Sequence, residues 1–301
     1  MISNIHGWLS LYKPINTSSF SVVKMIKKRF NLNKIGHGGT LDPQAVGVLP
    51  IALGNATRLV SFLANKKKEY QFIIKWGSQT TTDDSEGKTI FQSIKIPNKD
   101  EINNSLQKFI GDIEQIPPKY SAVKVNGERA YKLSRNNIDF VLSPKIVQVY
   151  SLKYIKNVNY NESLFTINCG SGFYVRSLAR DLAIQLGTRG HVSYLERTKV
   201  GIFTKNNTIL LDDLIKISHL SSAIKGFYHI SKVLDDIPAL EVNNAEVLSI
   251  KMGKKVDISF LSKSFYKKLN LEEFVYIKNN DELVALGHVQ NNFFKPKKVF
   301  L

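Results

Sequence analysis

The stretch best suited to chemistry is Gly36-His37-Gly38-Gly39-Thr40-Leu41-Asp42-Pro43, continuing to Gly47-Val48-Leu49-Pro50. Glycines permit positive φ and close backbone approach, so their spacing with two prolines specifies one loop path. Proline after Asp42 biases that residue toward an extended conformation and away from helix. A carboxylate on so stiff a bend can project into a cleft and act as a nucleophile or base, although a lone Asp-Pro more often caps a turn or helix. His37 has the type to hydrogen-bond within the loop. Glycine-rich loops also cradle phosphates, but the Gly-Lys-Ser/Thr ending of a nucleotide-binding P-loop does not follow. Cys169 is the only cysteine and the six histidines are scattered, so neither an internal disulfide nor a Cys/His metal site is expected.

Several elements must hold that loop. Asn16-Thr17-Ser18-Ser19 supplies helix N-cap types, and Val22, Val23, Ile26 and Phe30 then share one helical face. Lys24, Lys27, Lys28 and Arg29 fall largely off it, as a solvated face or one that meets phosphate. The loop is predicted to run from Gly36 to Gly54. Tyr70–Trp76 reads as a strand stopped by Gly77, and Ser78–Gly87 as a further loop. Spacing predicts helices over Asp100–Phe109 and Arg176–Leu186, ended by Gly111 and Gly187, and strands at Ile146–Tyr150 and Leu164–Asn168. Strands and helices alternate without βαβ regularity, which implies an α+β fold with a mixed sheet. Near Asp235-Asp236-Ile237-Pro238 the pattern changes. Short β-like runs at Glu273–Lys278 and Leu283–Val289 follow, bounded by Asn/Asp turns, so 1–236 and 237–301 are expected to be separate domains.

Composition narrows the function classes. Forty-three per cent hydrophobic residues in 301 suffice for a real core. Lys and Arg number 42 against 25 acidic residues, a formal charge of +17 that suits a polyanionic partner or reflects a Lys/Asn/Ile-rich composition. No apolar run reaches the roughly 20 residues of a membrane span, and Met1–Pro14 lacks a signal-peptide pattern. A membrane-surface protein would need a long amphipathic helix with aromatic anchors, which is not seen. A soluble cytoplasmic protein is expected.

The run from Gly36 to Leu59, GHGGTLDPQAVGVLPIALGNATRL, resembles the signature of the bacterial tRNA pseudouridine synthase B (TruB) family. Collinear elements resemble it too: Lys13-Pro14 with Thr17-Ser18-Ser19; Lys68 with Tyr70; Gly77, Thr80, Thr82, Asp84 and Gly87; and Gln115 to Ala122 followed by Lys124, Gly127, Tyr131 and Arg135. Cys169 to Leu178 and His191 to Arg197 complete the series. The resemblance spans nearly the whole chain. It implies a pseudouridine synthase fold, with a central mixed, largely antiparallel sheet flanked by helices and a small PUA-like β domain at the C-terminus. The implied reaction isomerises uridine 55 in the tRNA T-loop by base flipping, with no cofactor and no metal. The implied partner is tRNA, and a monomer with no obligate protein partner is expected.

Roles follow from the same resemblance. Asp42 is the reacting carboxylate, Arg176 grips it through a planar fork, Tyr70 stacks on the uracil, and Tyr174 handles a proton or lines the site. Leu195 keeps the pocket dry. His37 fills the space left by the flipped nucleotide, and Lys13, Lys68 and Asp84 belong to the wall and RNA-contact shell. By residue type alone Tyr70 on a strand would ordinarily be core and Arg176 a structural ion pair; only the motif reverses those readings. Three positions depart from the family pattern. Gly38 replaces a threonine and is expected to loosen the loop, Phe20 replaces a polar residue, and Glu196 replaces an arginine, removing a phosphate contact. A non-catalytic RNA-binding protein on the same scaffold would be expected to lack Asp42, Tyr70 or Arg176, and all three are present.

Overall fold

The computed structural model describes residues 5–258 and 274–300. The first part of the chain contains strand β1 (Gly7–Lys13), helix α1 (Ser19–Arg29), strands β2 (Ile35–His37) and β3 (Val46–Leu53), and helix α2 (Val60–Ala64). Strand β4 (Lys68–Trp76) is followed by a hairpin of β5 (Ser78–Thr80) and β6 (Thr89–Gln92), then α3 (Lys99–Leu106) and β7 (Gly111–Gln115). A small hairpin of β8 (Lys124–Val125) and β9 (Glu128–Arg129) leads into α4 (Ala130–Arg135). Then come β10 (Lys145–Asn159), β11 (Glu162–Cys169), α5 (Val175–Gln185) and β12 (Gly190–Val200). Short strands β13 (Phe203–Thr204), β14 (Ile209–Leu210) and β15 (Phe227–Tyr228), with α6 (Leu211–Lys216), close the unit.

Apart from the β5–β6 and β8–β9 hairpins, these strands form one sheet in the order β14-β1-β3-β12-β4-β11-β10-β7, with β2 paired to β3, β13 to β12 and β15 to β1 beside that path. Only β14 with β1 and β3 with β12 run parallel; the other pairs are antiparallel, so the sheet is mixed and largely antiparallel. Its core stacks Phe72 on Phe165 at 5.4 Å, with Trp76 set edge-on to Phe165. Each such fully buried side chain contributes roughly 1.5–3 kcal/mol. Helix α1 begins as its sequence implies, with Ser18 accepting from the Ser21 amide at 3.0 Å and Val22 and Ile26 buried. Helix α5 buries Leu178 and Leu182 against the sheet.

A second, five-stranded sheet runs β16-β18-β19-β20-β17, from β16 (Ala239–Glu241), β17 (Val256–Asp257), β18 (Phe274–Asn279), β19 (Glu282–Gln290) and β20 (Phe293–Val299). Helix α7 (Asn244–Lys251) lies between the first two strands in sequence, with an Asn243/Glu246 capping box. Glu273, which the sequence assigned to β18, lies outside the described residues. The two sheets share an apolar cluster that includes Trp8, Phe203, Leu234, Leu286 and Phe300. Asn55 and Arg58 donate to the Phe300 and Val299 carbonyls across the same junction.

Two expectations need correction. Gly36 to Gly54 is not one loop: β2 and β3 occupy most of it, and all eight residues of β3 are buried. A strand covered on both faces reads as a continuous apolar run without alternation, and Pro50 disguised it further. Proline is tolerated there because β3 changes neighbours, pairing with β12 at Val46–Gly47 and with β2 from Ile51 to Leu53. Likewise Ser78–Gly87 is not wholly loop, since β5 pairs with β6.

Gly47 fixes the β3–β12 register, because a Cβ there would lie 2.3 Å from the Arg197 carbonyl oxygen, at a φ of +106°. Gly47→Ala is therefore expected to destabilise the protein by about 2–4 kcal/mol through overlap and backbone strain. A lowered urea midpoint with unchanged slope would show it.

Candidate active site

Asp42 sits on the bend between β2 and β3, and nearly every residue of that bend is fastened. The Gly38 amide donates to the Pro50 carbonyl at 2.8 Å and the Ala45 amide to the Asp42 carbonyl at 3.1 Å. Ser19, buried at the start of α1, donates to the Leu41 carbonyl at 3.0 Å and accepts from the Leu41 amide at 2.9 Å. The Lys13 ammonium donates to the carbonyls of Pro14, Thr17 and Pro43 at 2.8, 2.6 and 3.0 Å. The Arg197 guanidinium reaches Val48, Gly39 and Thr40 carbonyls at 2.9, 3.0 and 3.4 Å.

The side chain of Asp42 emerges from this scaffold 37% exposed, with Oδ2 3.0 Å from Arg176 Nε. Arg176 itself is buried. Its Nη1 donates to the Thr82 carbonyl at 3.0 Å and its Nη2 to the Tyr120 carbonyl at 3.1 Å, while Asp84 Oδ2 stands 3.6 Å from Nη1. The expected two-pronged grip is therefore absent: one nitrogen meets Asp42 and the other two are committed to backbone. Asp84 is positioned in turn by the Thr82 hydroxyl and the Glu86 amide. Burial raises the Asp42 pKa above its ordinary value; Arg176 opposes the rise, Asp84 adds to it, and Lys13 opposes it.

Asp42, Arg176, Asp84 and Leu195 line one narrow cleft of about 50 Å³, with Ile15 and Tyr194 among the other residues of its walls. The other expected residues, Lys13, His37, Lys68, Tyr70 and Tyr174, are not among those that line it. Tyr70 is buried on β4, paired across the ladder with Arg197; burial raises its phenol, with Arg197 opposing. Tyr174 immediately precedes α5, and the buried Gln115 side chain holds it by bonding both its carbonyl and its amide, at 3.1 and 2.8 Å. Its hydroxyl pKa is raised by burial, against Ser121 and Arg176.

His37 is half-buried, and among the described residues its Nδ1 has no hydrogen-bond partner, so no loop bond is made through that atom. Burial, helped by the Arg197 charge, lowers its pKa and favours the neutral imidazole. The ammonium groups of Lys13 and Lys68 turn to backbone carbonyls. Lys13 is fully buried with all three donors used, and Lys68 donates to the Ala64 and Lys66 carbonyls at 2.6 and 2.9 Å. Burial pushes both ammonium groups down to about 8.

Two of the three departures, Gly38 and Glu196, have local explanations, and nothing in the structure explains Phe20. At Gly38 the place of a Cβ is filled by Leu63 Cδ2, 2.2 Å from the ideal position. Phe20 is exposed. Glu196 is buried, accepts from Tyr12 at 2.8 Å and Tyr194 at 3.3 Å, and pairs with Lys205 at 2.7 Å. Sequence reasoning missed the bend-holding roles of Ser19 and Arg197 and the hold of Gln115 on Tyr174. Their presence in the family-like motifs was the only signal, since nothing in local spacing tells a buried strap from a surface side chain.

The sequence pattern of the N-terminal domain of TruB family pseudouridylate synthases matches residues 27–175, and that of the tRNA pseudouridylate synthase B C-terminal domain matches 176–234. The chain is 39% identical to a tRNA pseudouridine synthase B of Caulobacter vibrioides, over 98% of this chain and 96% of that protein. The chain belongs to the TruB family. Similar TruB relatives include the tRNA pseudouridine synthase B of Rickettsia bellii, 41% identical over 97% of each chain. Among solved structures it resembles a chain of a Cbf5-Nop10-Gar1 complex, with 27% identity and a TM-score of 0.73 over 98% of this chain and 85% of that one. A chain of an H/ACA RNP bound to a substrate RNA containing 2'-deoxyuridine gives 25% identity and a TM-score of 0.74, with the same coverage.

A carbon-13 titration of the Asp42 carboxyl is expected to give a midpoint above the ordinary 3.8. Arg176→Gln is expected to move it further up, because the cation that favours the carboxylate is lost. A midpoint that stays put in the variant would show that Arg176 does not act on Asp42.

Proposed function

We propose that this TruB chain converts uridine 55 in the T-loop of tRNA to pseudouridine, using Asp42 as the reacting carboxylate and no cofactor. The observation that carries the proposal is the Asp42–Arg176 pair at 3.0 Å, presented at a cleft by a fastened bend. Uridine and pseudouridine are isomers. The bond from C1′ to N1 breaks, the base turns, a bond forms from C1′ to C5, and a proton leaves C5 while N1 gains one. Nothing is consumed, so the balance calls for no co-reactant.

In this reading Arg176 keeps Asp42 ionised and aimed, and Asp84 steadies Arg176. Tyr70 offers its ring to the extruded uracil, since an aromatic face binds a base without demanding sequence. Tyr174, held neutral by burial, is the phenol available to pass the C5 proton. Leu195 excludes water from the intermediate, and the neutral His37 ring fills the gap left in the RNA, offsetting a flipping cost of a few kcal/mol. Lys13 and Lys68 support the walls from inside. The basic surface supplies salt-sensitive phosphate contacts. The division at 236/237 separates a catalytic domain from a PUA-like RNA-binding domain, of whose terminal lysines Lys297 is the most exposed. The protein works in the cytoplasm as a monomer, without an obligate protein partner. No described helix is long and apolar enough to cross a membrane.

Tritium release from tRNA labelled at uridine C5 tests the proposal. Asp42→Asn is expected to abolish release while tRNA binding stays within a few-fold; full activity in the variant would assign the chemistry to another group. Arg176→Lys, which cannot hold its two carbonyls and Asp42 in one plane, is expected to lose rate on the order of a hundredfold with the fold intact. The reacting form is the carboxylate and its pKa is raised. The rate should therefore fall with acidification at a pH above the ordinary carboxylate value.

A further inference from the structure

Arg197 is 1% exposed, yet among the described residues it takes part in no ion pair. A buried charge without a counter-ion is costly, and an apolar side chain of similar volume would fill the space with less penalty. What an apolar side chain cannot supply is direction. The guanidinium is a rigid planar fork, and here each nitrogen has its own carbonyl: Nε meets Val48, Nη2 meets Gly39, and Nη1 meets Thr40. Two of these acceptors precede Asp42 in the chain and the third follows it. One flat group thus sets the distance between the two arms of the bend.

The backbone of Arg197 adds a second register. It is paired with Gly47 on one side and with Tyr70 on the other. The contact with Gly47 is too close for any Cβ. A shift of this one residue would move the Asp42 bend relative to Tyr70, the two groups that must meet the same nucleotide. The same charge also acts on the His37 imidazole and on the Tyr70 hydroxyl.

We infer that Arg197 is a positioning residue for the proposed reaction, a three-point gauge that sets the Asp42 bend against the Tyr70 ring without touching substrate. The inference rests on the assignment of Asp42 above, and its test is arranged to separate the two. Arg197→Lys retains the charge and the stem but offers a tetrahedral ammonium that cannot reach three coplanar carbonyls. Arg197→Gln removes the charge. Both are compared with the parent and with Asp42→Asn in single-turnover tritium release, in tRNA binding and in urea unfolding.

Positioning predicts that both Arg197 variants lose about a hundredfold in single-turnover rate, as expected when a reacting group is displaced by about an ångström. Binding of tRNA should stay within a few-fold, with the unfolding transition still well above the assay conditions. A parental rate in Arg197→Lys would overturn the inference, because charge alone would then suffice. Equal losses in rate and binding would overturn it as well, and so would loss of the folded state in both variants, which would make Arg197 a folding residue only. If Asp42→Asn itself retained the parental rate, the Asp42 reading would fail and take this inference with it. If Asp42→Asn is inactive while the Arg197 variants are not, the inference alone fails.

Discussion

A carboxylate that is to react has to be ionised, reachable and stationary, and these demands conflict. Access favours a mobile surface side chain, whereas immobility favours burial, which disfavours the charge. Arg176 reconciles them. Its two terminal nitrogens are already committed to the Thr82 and Tyr120 carbonyls, so Nε presents a fixed direction to Asp42. A freely rotating cation would pull Asp42 toward solvent or follow it. A guanidinium anchored twice to backbone can only wait for it.

That arrangement makes demands on distant parts of the chain. Asp42 comes from the turn into β3, Asp84 from the loop joining β5 to β6, Arg176 opens α5, and Leu195 and Arg197 lie on β12. They meet because β12 inserts between β3 and β4, parallel to the first and antiparallel to the second. Such non-local pairing costs loop entropy that only a large buried sheet can offset, which is why both faces of β3 are covered. The start of α5 is equally constrained. Gln115 bonds both backbone groups of Tyr174, so the first turn carrying Arg176 is fixed from the neighbouring strand, without any side-chain cap of its own.

Much of this was legible in the residues. The cap residues of α1, the apolar spacing of α1, α3 and α5 and the glycine stops are local signals. Helix α5 forms within one residue of its expected bounds, while α3 starts one residue early and ends at Leu106, its expected last three residues continuing as a tighter turn. The motif resemblance brought Asp42, Arg176, Asp84 and Leu195 together. It failed where side-chain direction decides. Lysines are read as surface groups because ammonium is costly to bury, yet Lys13 finds three carbonyls on converging segments that no local pattern announces. Glu196 shows the same limit: beside Arg197 it reads as a charge reversal, but it lies in a pocket of two phenols and Lys205 assembled from three parts of the chain. β3 was hidden because a doubly buried strand has no alternation to detect.

The cleft volume separates what is fixed from what must move. About 50 Å³ holds one or two waters, whose share of liquid volume is roughly 30 Å³ each, and not a nucleoside. In the proposed reaction the wall therefore opens as the base enters, and the cost depends on which side yields. The Asp42 side is bound by Ser19, Lys13 and Arg197 through buried bonds to backbone, each expensive to leave unmade. Across the mouth, Ile15 is half-exposed, and Gln44 is held by contacts with Asn16 at 2.9 Å and Glu86 at 3.4 Å, both at the surface. Water can replace those contacts at little cost, whereas nothing can replace the carbonyl straps behind Asp42. Opening thus falls to the outer rim, and the acid group receives the base without having to be placed anew.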